Sequence, residues 1–263
     1  MDRVLERLGA EIVRSVLGGA RVEERDGVPG APPGIHDFDV IFADGSRLSV
    51  EVTTATDPSL RELWAAVGQQ QWNLPHLRRS WGVVIRPDTS VGALHRDVGP
   101  LLAELERRGV DRFNAAEPND TPGDELKDLG VRYANAVPGP GEPVVFVGTV
   151  GPANWFDGSD VCEAVEREAA KADNARKLLA AGGGELFVWV DPHASSAHAA
   201  LAGDVSLPRR PPRLPAGITG IWAARSIVRP DGRAGAAVVL RGDPRTGWRD
   251  ITSDAVSCRA PDL

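Results

Sequence analysis

Hydrophobic positions fall at helical spacing from the first turn of the chain: Val4, Leu5, Leu8, Ile12 and Val16 form one stripe, which Gly18-Gly19 ends. This predicts an amphipathic opening helix. A short strand is expected over 20–25, and a loop rich in glycine and proline over 26–34. The period then changes to two. His36-Asp37-Phe38-Asp39-Val40-Ile41-Phe42 leads through Ala43-Asp44-Gly45-Ser46 into Arg47-Leu48-Ser49-Val50-Glu51-Val52-Thr53. Asp-Gly between two β-rich runs is a strong hairpin signal. Alternation puts Leu48, Val50 and Val52 on one face of the return strand, and Arg47, Ser49, Glu51 and Thr53 on the other.

Further on, Asp57-Pro58 suits a helix start, with the apolar stripe Leu60, Leu63, Trp64 and Val67 running to about Trp72. A strand at 81–85 and a helix at 91–108, closed by Gly109, follow. Residues 111–143 are rich in Pro, Gly, Asp and Asn, and read as an irregular excursion with one short strand at 131–134. A buried strand is expected at 143–147. One long helix should run from Ser159 or Asp160 to Ala181, where Gly182-Gly183-Gly184 stops it. Leu186–Val190 is the most apolar strand pattern in the chain, and three short β-runs lie near 218–224, 236–240 and 247–251. Interleaved strands and helices indicate an α/β chain with a mixed central sheet flanked by helices. The proline-rich stretch 207–215 suggests an α/β domain over 1–206 and a β-rich C-terminal extension over 207–263.

The 263 residues suffice for a sizeable core without covalent staples. Two cysteines, Cys162 and Cys258, exclude a disulfide scaffold or a zinc finger. No apolar run approaches the ~20 residues of a membrane span, and the start of the chain is unlike a secretory signal, so a cytoplasmic protein is expected. The formal charge of −7 argues against a general DNA-coating role but leaves room for a local basic cleft. Gly-x-Ser-x-Gly, Walker and Gly-x-Gly-x-x-Gly motifs are absent from the sequence. The five histidines offer no metal-ligand spacing, and Cys162, on an apolar helix face, reads as packing.

The candidate chemistry is in the hairpin. Asp39 and Glu51 lie on its two strands, with Thr53 two positions beyond Glu51. Carboxylates on neighbouring strands can converge on a divalent cation, for which oxygen donors suit Mg²⁺ or Mn²⁺. The order helix, strand, Asp-bearing strand, Glu-x-Thr strand, helix resembles the PD-(D/E)xK nuclease superfamily over residues 3–87. The resemblance implies a restriction-endonuclease-like core and a metal held by Asp39, Glu51 and the carbonyl of Val52, with Glu11 of the first helix assisting. It also implies hydrolysis of phosphodiester bonds in DNA or RNA, and that dimers are common. Thr53 stands where that superfamily has its lysine, and Phe38 where it has proline. Lys171 or Lys177, on the helix before the Leu186–Val190 strand, is a possible replacement cation, and Lys171 is taken as the one at the site. Gln70 and Gln71 share a face with Leu63, Trp64 and Val67. Gln71 can orient water or phosphate, as a glutamine on this helix does in some members, or simply cap the helix.

Two other readings stand beside this one. The Thr53 departure and the acidic net charge suit a catalytically inactive nuclease-fold protein that binds nucleic acid or protein. Alternatively, Asp39, Glu51 and Thr53 are only the solvated face of a hairpin, with His36 and Asp37 in a polar turn. Arg78-Arg79, Arg107-Arg108 and Arg209-Arg210 with Arg213 are candidate phosphate contacts. Trp155 is the tryptophan expected to be exposed, and Trp189 and Trp222 the ones expected in the core.

Overall fold

The most apolar run of the sequence, Gly184–Val190, is buried along its whole length. A strand buried on both faces belongs at the centre of a sheet with helices on either side, which explains why it reads as a continuous run and not as an alternation. The structure, a computed structural model, describes residues 3–56, 61–62, 65–67, 72, 74, 76–86, 89–118, 120–137, 144–148, 158–191, 195–202, 206–228 and 234–255. In chain order the elements are α1 (Arg3–Leu17), β1 (Arg21–Glu24), β2 (Phe38–Ile41), β3 (Arg47–Ala55), β4 (Ser80–Ile85), α2 (Val91–Arg107), β5 (Arg112–Asn114), α3 (Thr121–Asp128), β6 (Val131–Val137), β7 (Val145–Gly148), α4 (Gly158–Ala169), α5 (Ala172–Ala180), β8 (Gly184–Val190), α6 (Ser195–Ala200), β9 (Ile218–Val228), β10 (Ala234–Asp243), β11 (Gly247–Asp250) and α7 (Thr252–Ala255).

The chain divides into two compact units. One is Met1–Thr56 with Ala153–Leu263, and the other is Asp57–Pro152. The first carries a mixed seven-stranded sheet in the order β1-β2-β3-β8-β9-β10-β11. The outer strands pair antiparallel, whereas β3, β8 and β9 run parallel. The boundary expected at residue 207 is not where the units part. β9, β10 and β11 continue the same sheet, because β9, the first strand after the proline-rich link, pairs with β8, and β10 and β11 follow it outward.

Each face of that sheet has its own apolar layer. Leu8, Ile12 and Val13 of α1 pack on Val50, Val52, Phe187, Trp189 and Trp222. On the opposite face Val161, Cys162 and Val165 of α4 and Leu178 of α5 cover Leu186, Val188, Val190 and Ile221. Gly9 allows the close approach of α1, since a Cβ there would sit 3.0 Å from the Phe187 ring. Gly184 does the same for the sheet itself, where a Cβ would come within 2.3 Å of the Ser49 carbonyl. Trp189 and Trp222 are core residues, as their setting in apolar strands implies.

The helix expected over 159–181 is two helices, α4 and α5, broken at Lys171. The buried Asn174 side chain donates to the Glu168 carbonyl at 2.9 Å, an acceptor the helix would otherwise use for itself. Lys171 takes an extended conformation (ψ 124°) as N-cap of α5.

The second unit, 57–152, is built on a four-stranded sheet of order β5-β6-β4-β7 with α2 and α3. Trp81, Val83, Ile85, Leu94, Val98, Leu102 and Phe113 fill its core. The 111–143 excursion is more regular than its composition suggests, since it contains β5, α3 and β6. Tertiary pairing supplies what local propensity does not: Val131 and Ala134, three residues apart, both face the core because the register of β6 against β4 shifts between them. The Asp57-Pro58 helix start lies outside the described residues, although 61–62 and 65–67 are helical. Among the described residues no helix is long and apolar enough to cross a membrane.

Candidate active site

The hairpin loop sets the geometry of the site. Phe42 N–H donates to the Ser46 carbonyl and Gly45 N–H to the Phe42 carbonyl, each at 3.0 Å, leaving a loop of Ala43, Asp44 and Gly45. Gly45 closes it at φ +79°, which glycine adopts without strain. This loop fixes the register as Asp39 opposite Ser49 and Phe38 opposite Val50. One step further Asp37 faces Glu51, just past the end of β2. Asp37 Oδ2 accepts from the Val52 N–H at 2.8 Å, where the ladder would have continued. The Val52 carbonyl lies on the same side of β3 as that N–H.

Glu51 is 3% exposed. Its Oε1 accepts from Lys177 Nζ of α5 at 2.7 Å, and its Oε2 is buried with no hydrogen-bond partner. Lys177 also lies 3.5 Å from Asp173 Oδ2. Burial pushes the Glu51 carboxyl up to about 8, the charge of Asp37 adding to the shift and Lys177 opposing it. Burial likewise raises Asp37, against the Val52 N–H and Lys177. Burial by itself lowers Lys177, but the hydrogen bond to Glu51 and the charges of Glu51, Asp37 and Asp173 outweigh it and leave the amine raised. Glu6, in the first turn of α1, is raised by partial burial and then by Asp37. Fully ionised, Asp37, Glu51 and Lys177 carry one negative charge in excess, with Glu6 and Asp173 adding to the same field.

Of the residues singled out in the sequence, Glu51 and Val52 are at this centre, and Asp37 and Lys177 complete it. Asp39 is elsewhere. It is buried two residues along β2, where its Oδ1 meets His36 Nε2 at 2.6 Å and Ser49 Oγ at 3.3 Å. Arg25 and Arg47 approach its Oδ2 at 3.5 and 3.6 Å. Asp39 is thus held by cations and donors instead of facing Glu51. The three-residue loop sets this register: it puts Ser49 opposite Asp39 and leaves Asp37, two residues earlier on the same face, to oppose Glu51. Glu11 pairs with Arg14 at 2.6 Å and Arg7 at 3.8 Å, and Glu6 is the α1 carboxylate whose charge couples to Asp37. Lys171 pairs with buried Glu168 at 2.6 Å, and Thr53 Oγ1 donates to the same carboxylate at 3.4 Å. The break between α4 and α5 separates the two lysines, so that Lys171 belongs to the Glu168 group and Lys177 to Glu51.

Gln71 and Trp155 lie outside the described residues. Arg107 and Arg108 are engaged by Glu104, and Arg210 Nη2 donates to Glu166 Oε2 at 2.8 Å. Burial pushes the Cys162 thiol up to about 11, so it stays protonated and packs as an apolar group. Among the described residues no three His, Cys, Asp or Glu side chains converge to hold a metal ion. No protein-family model, curated protein or solved structure matches the chain.

Proposed function

We propose that the 1–56/153–263 unit is a divalent-metal-dependent phosphodiesterase acting on DNA or RNA. In this reading it has a restriction-endonuclease-like core whose active-site lysine comes from α5 and not from β3. The observation that carries the reading is the Lys177 ammonium 2.7 Å from Glu51 Oε1. It supplies the cation that Thr53 cannot, and so favours hydrolysis over binding alone.

Mg²⁺ or Mn²⁺ suits the residues present. Glu51 Oε2 is an orphaned buried oxygen, and Asp37 stands opposite it. Mg²⁺ commonly takes one or two carboxylates and fills its remaining positions with water and substrate phosphate, so a third acidic ligand is not required. Asp37, Glu51 and the Val52 carbonyl would hold the ion. When bound it would lower the pKa of a coordinated water and polarise a phosphoryl oxygen. Lys177 then has two tasks. Its ammonium opposes the burial that raises the Glu51 carboxyl, and it places positive charge where the attacked phosphoryl group gathers negative charge. The Val52 N–H holds Asp37 Oδ2, leaving Oδ1 of Asp37 for the site.

The test is calorimetric titration with Mn²⁺ of the wild type beside Glu51→Ala, followed by incubation of each with plasmid DNA and single-stranded RNA. Binding and metal-dependent cleavage in the wild type, both lost in the variant, support the reading. Absence of Mn²⁺ binding in the wild type overturns it.

A further inference from the structure

We propose that Arg25 and Arg47, gathered around the buried carboxylate of Asp39, form a phosphate grip for the nucleic-acid strand that flanks the scissile bond. This inference rests on the hydrolytic reading above and adds to it a second, non-catalytic site.

The grip follows from the register. Arg25 N–H donates to the Asp37 carbonyl at 2.8 Å, so Arg25, Asp37 and Glu51 stand side by side across β1, β2 and β3. Arg47, four residues before Glu51 on β3, lies on the same face. Strand spacing and rise then put both arginines roughly 10–13 Å from Glu51 along the sheet. A nucleic-acid strand advancing about 3.4 Å per phosphate covers that distance in a few nucleotides.

Arg25 and Arg47 both face the Asp39 carboxylate, which is already hydrogen-bonded by His36 and Ser49, while Glu23, opposite Asp39 on β1, is held by Arg21. Both arginine contacts are long, 3.5 and 3.6 Å, and the side chains are 38% and 57% exposed. The Arg25 Nε, the atom nearest Asp39 Oδ2, is buried and makes no hydrogen bond. Asp39 therefore gathers the arginines without saturating them, leaving their outer N–H groups for an anion. The guanidinium fork matches phosphate geometry. Arg21, on the same face, differs: it is matched to Glu23 at 2.7 Å, one charge against one. The helices over this face of the sheet, α4 and α5, pack on β3, β8 and β9, with β1 and β2 at the sheet edge beyond them.

The test measures binding of short fluorescein-labelled DNA and RNA duplexes at several salt concentrations, with Ca²⁺ in place of Mg²⁺. Wild type is compared with Arg47→Gln, with Arg25→Gln/Arg47→Gln, and with Arg21→Gln as the matched neighbour. Removing one cation from a phosphate reduces the slope of log K against log salt by about 0.9. The double variant should therefore show a slope smaller by roughly 2 and an affinity about 10–100-fold weaker, and the single variant about half of that slope change. Arg21→Gln should leave both unchanged. Thermal melting confirms that each variant is folded, and Arg47→Gln, altering a side chain more than half exposed, keeps the test open if the double variant is not. Unchanged slopes in Arg47→Gln and the double variant overturn the grip, as does absence of duplex binding by the wild type. Cleavage by wild type with unchanged slopes removes the grip and keeps the hydrolytic reading. Slopes that fall as expected in a protein that never cleaves remove the hydrolytic reading and keep the grip.

Discussion

Lys177 and Glu51, 126 residues apart in the chain, meet at 2.7 Å. Glu51 leaves the β3 face that α5 covers, and Lys177 reaches back from the second turn of that helix. The pair places a lysine beside the strand carboxylate although the strand itself carries Thr53 two positions on. Replacing Lys177 by methionine should lower metal-dependent cleavage by about 10²–10⁴-fold, the range spanned by a positioned proton-transfer or charge-stabilising group. Thr53→Val, which removes only a 3.4 Å hydrogen bond to Glu168, should stay within about threefold of the wild type. Initial rates on one substrate decide between the two positions.

The two acids of the β2 segment should behave oppositely. Asp37→Asn removes half of the acidic pair and should abolish Mn²⁺ binding by calorimetry while leaving urea unfolding little changed. Asp39→Asn should keep Mn²⁺ binding yet lose about 1.5–3 kcal/mol in urea unfolding, because its carboxylate is bonded to buried His36 and Ser49 and flanked by Arg25 and Arg47.

Stability should depend on pH through Glu51. Its carboxyl titrates near 8 in the folded chain against 4.5 for an ordinary glutamate, so the folded state keeps a proton that the unfolded state releases between those values. The stability this provides is complete below about 4.5 and drains away as pH rises through 8. Wild-type Tm should therefore fall from pH 5 to pH 8.5 more steeply than that of Glu51→Gln. The corresponding difference in stability should reach a few kcal/mol, since one pKa unit is worth about 1.4 kcal/mol. Mn²⁺ should restore the wild type, and not the variant, at the alkaline end. Differential scanning calorimetry at several pH values checks all three.

A structural charge pair gives a contrasting outcome. Glu185 is buried on β8, accepts from the Trp222 indole N–H and pairs with Arg241, which also stacks over the Trp222 ring at 5.3 Å. Glu185→Leu should cost about 3 kcal/mol in urea unfolding, near the lower bound for breaking a buried pair because Arg241 can reach water. It should leave the metal affinity of the remaining folded protein unchanged.

Much of the architecture is written locally. The α1 stripe, the Asp44-Gly45 hairpin and the apolar β8 run are strong periodic signals, and each appears as an element where its pattern ends. The site was legible only in outline, because it depends on register and on a helix break. Asp37 and Asp39 have the same parity on the strand, so alternation cannot choose between them; the length of the Ala43–Gly45 loop does. Lys171 and Lys177 lie six residues apart on what reads as one helix, and the break at the extended Lys171, where the Asn174 side chain takes the Glu168 carbonyl, separates their destinations. The division of the chain was illegible for a related reason. Pro-rich composition marks 207–215, but the strands on both sides of it share one sheet, and pairing of that kind leaves no local trace.

The placement of 57–152 between β3 and α4 has a temporal consequence. A ribosome delivers the Asp37–Glu51 hairpin early, then the entire second unit, and only afterwards the helix that bears Lys177 and the strand that lies parallel to β3. At 5–20 residues per second the interval between Glu51 and Lys177 is on the order of ten seconds. Throughout it the Asp37–Glu51 hairpin lacks the Lys177 ammonium that completes the site, beside the messenger from which the chain is being read. A phosphodiesterase assembled in this order would stay inert until α5 has been delivered and its lysine has reached Glu51.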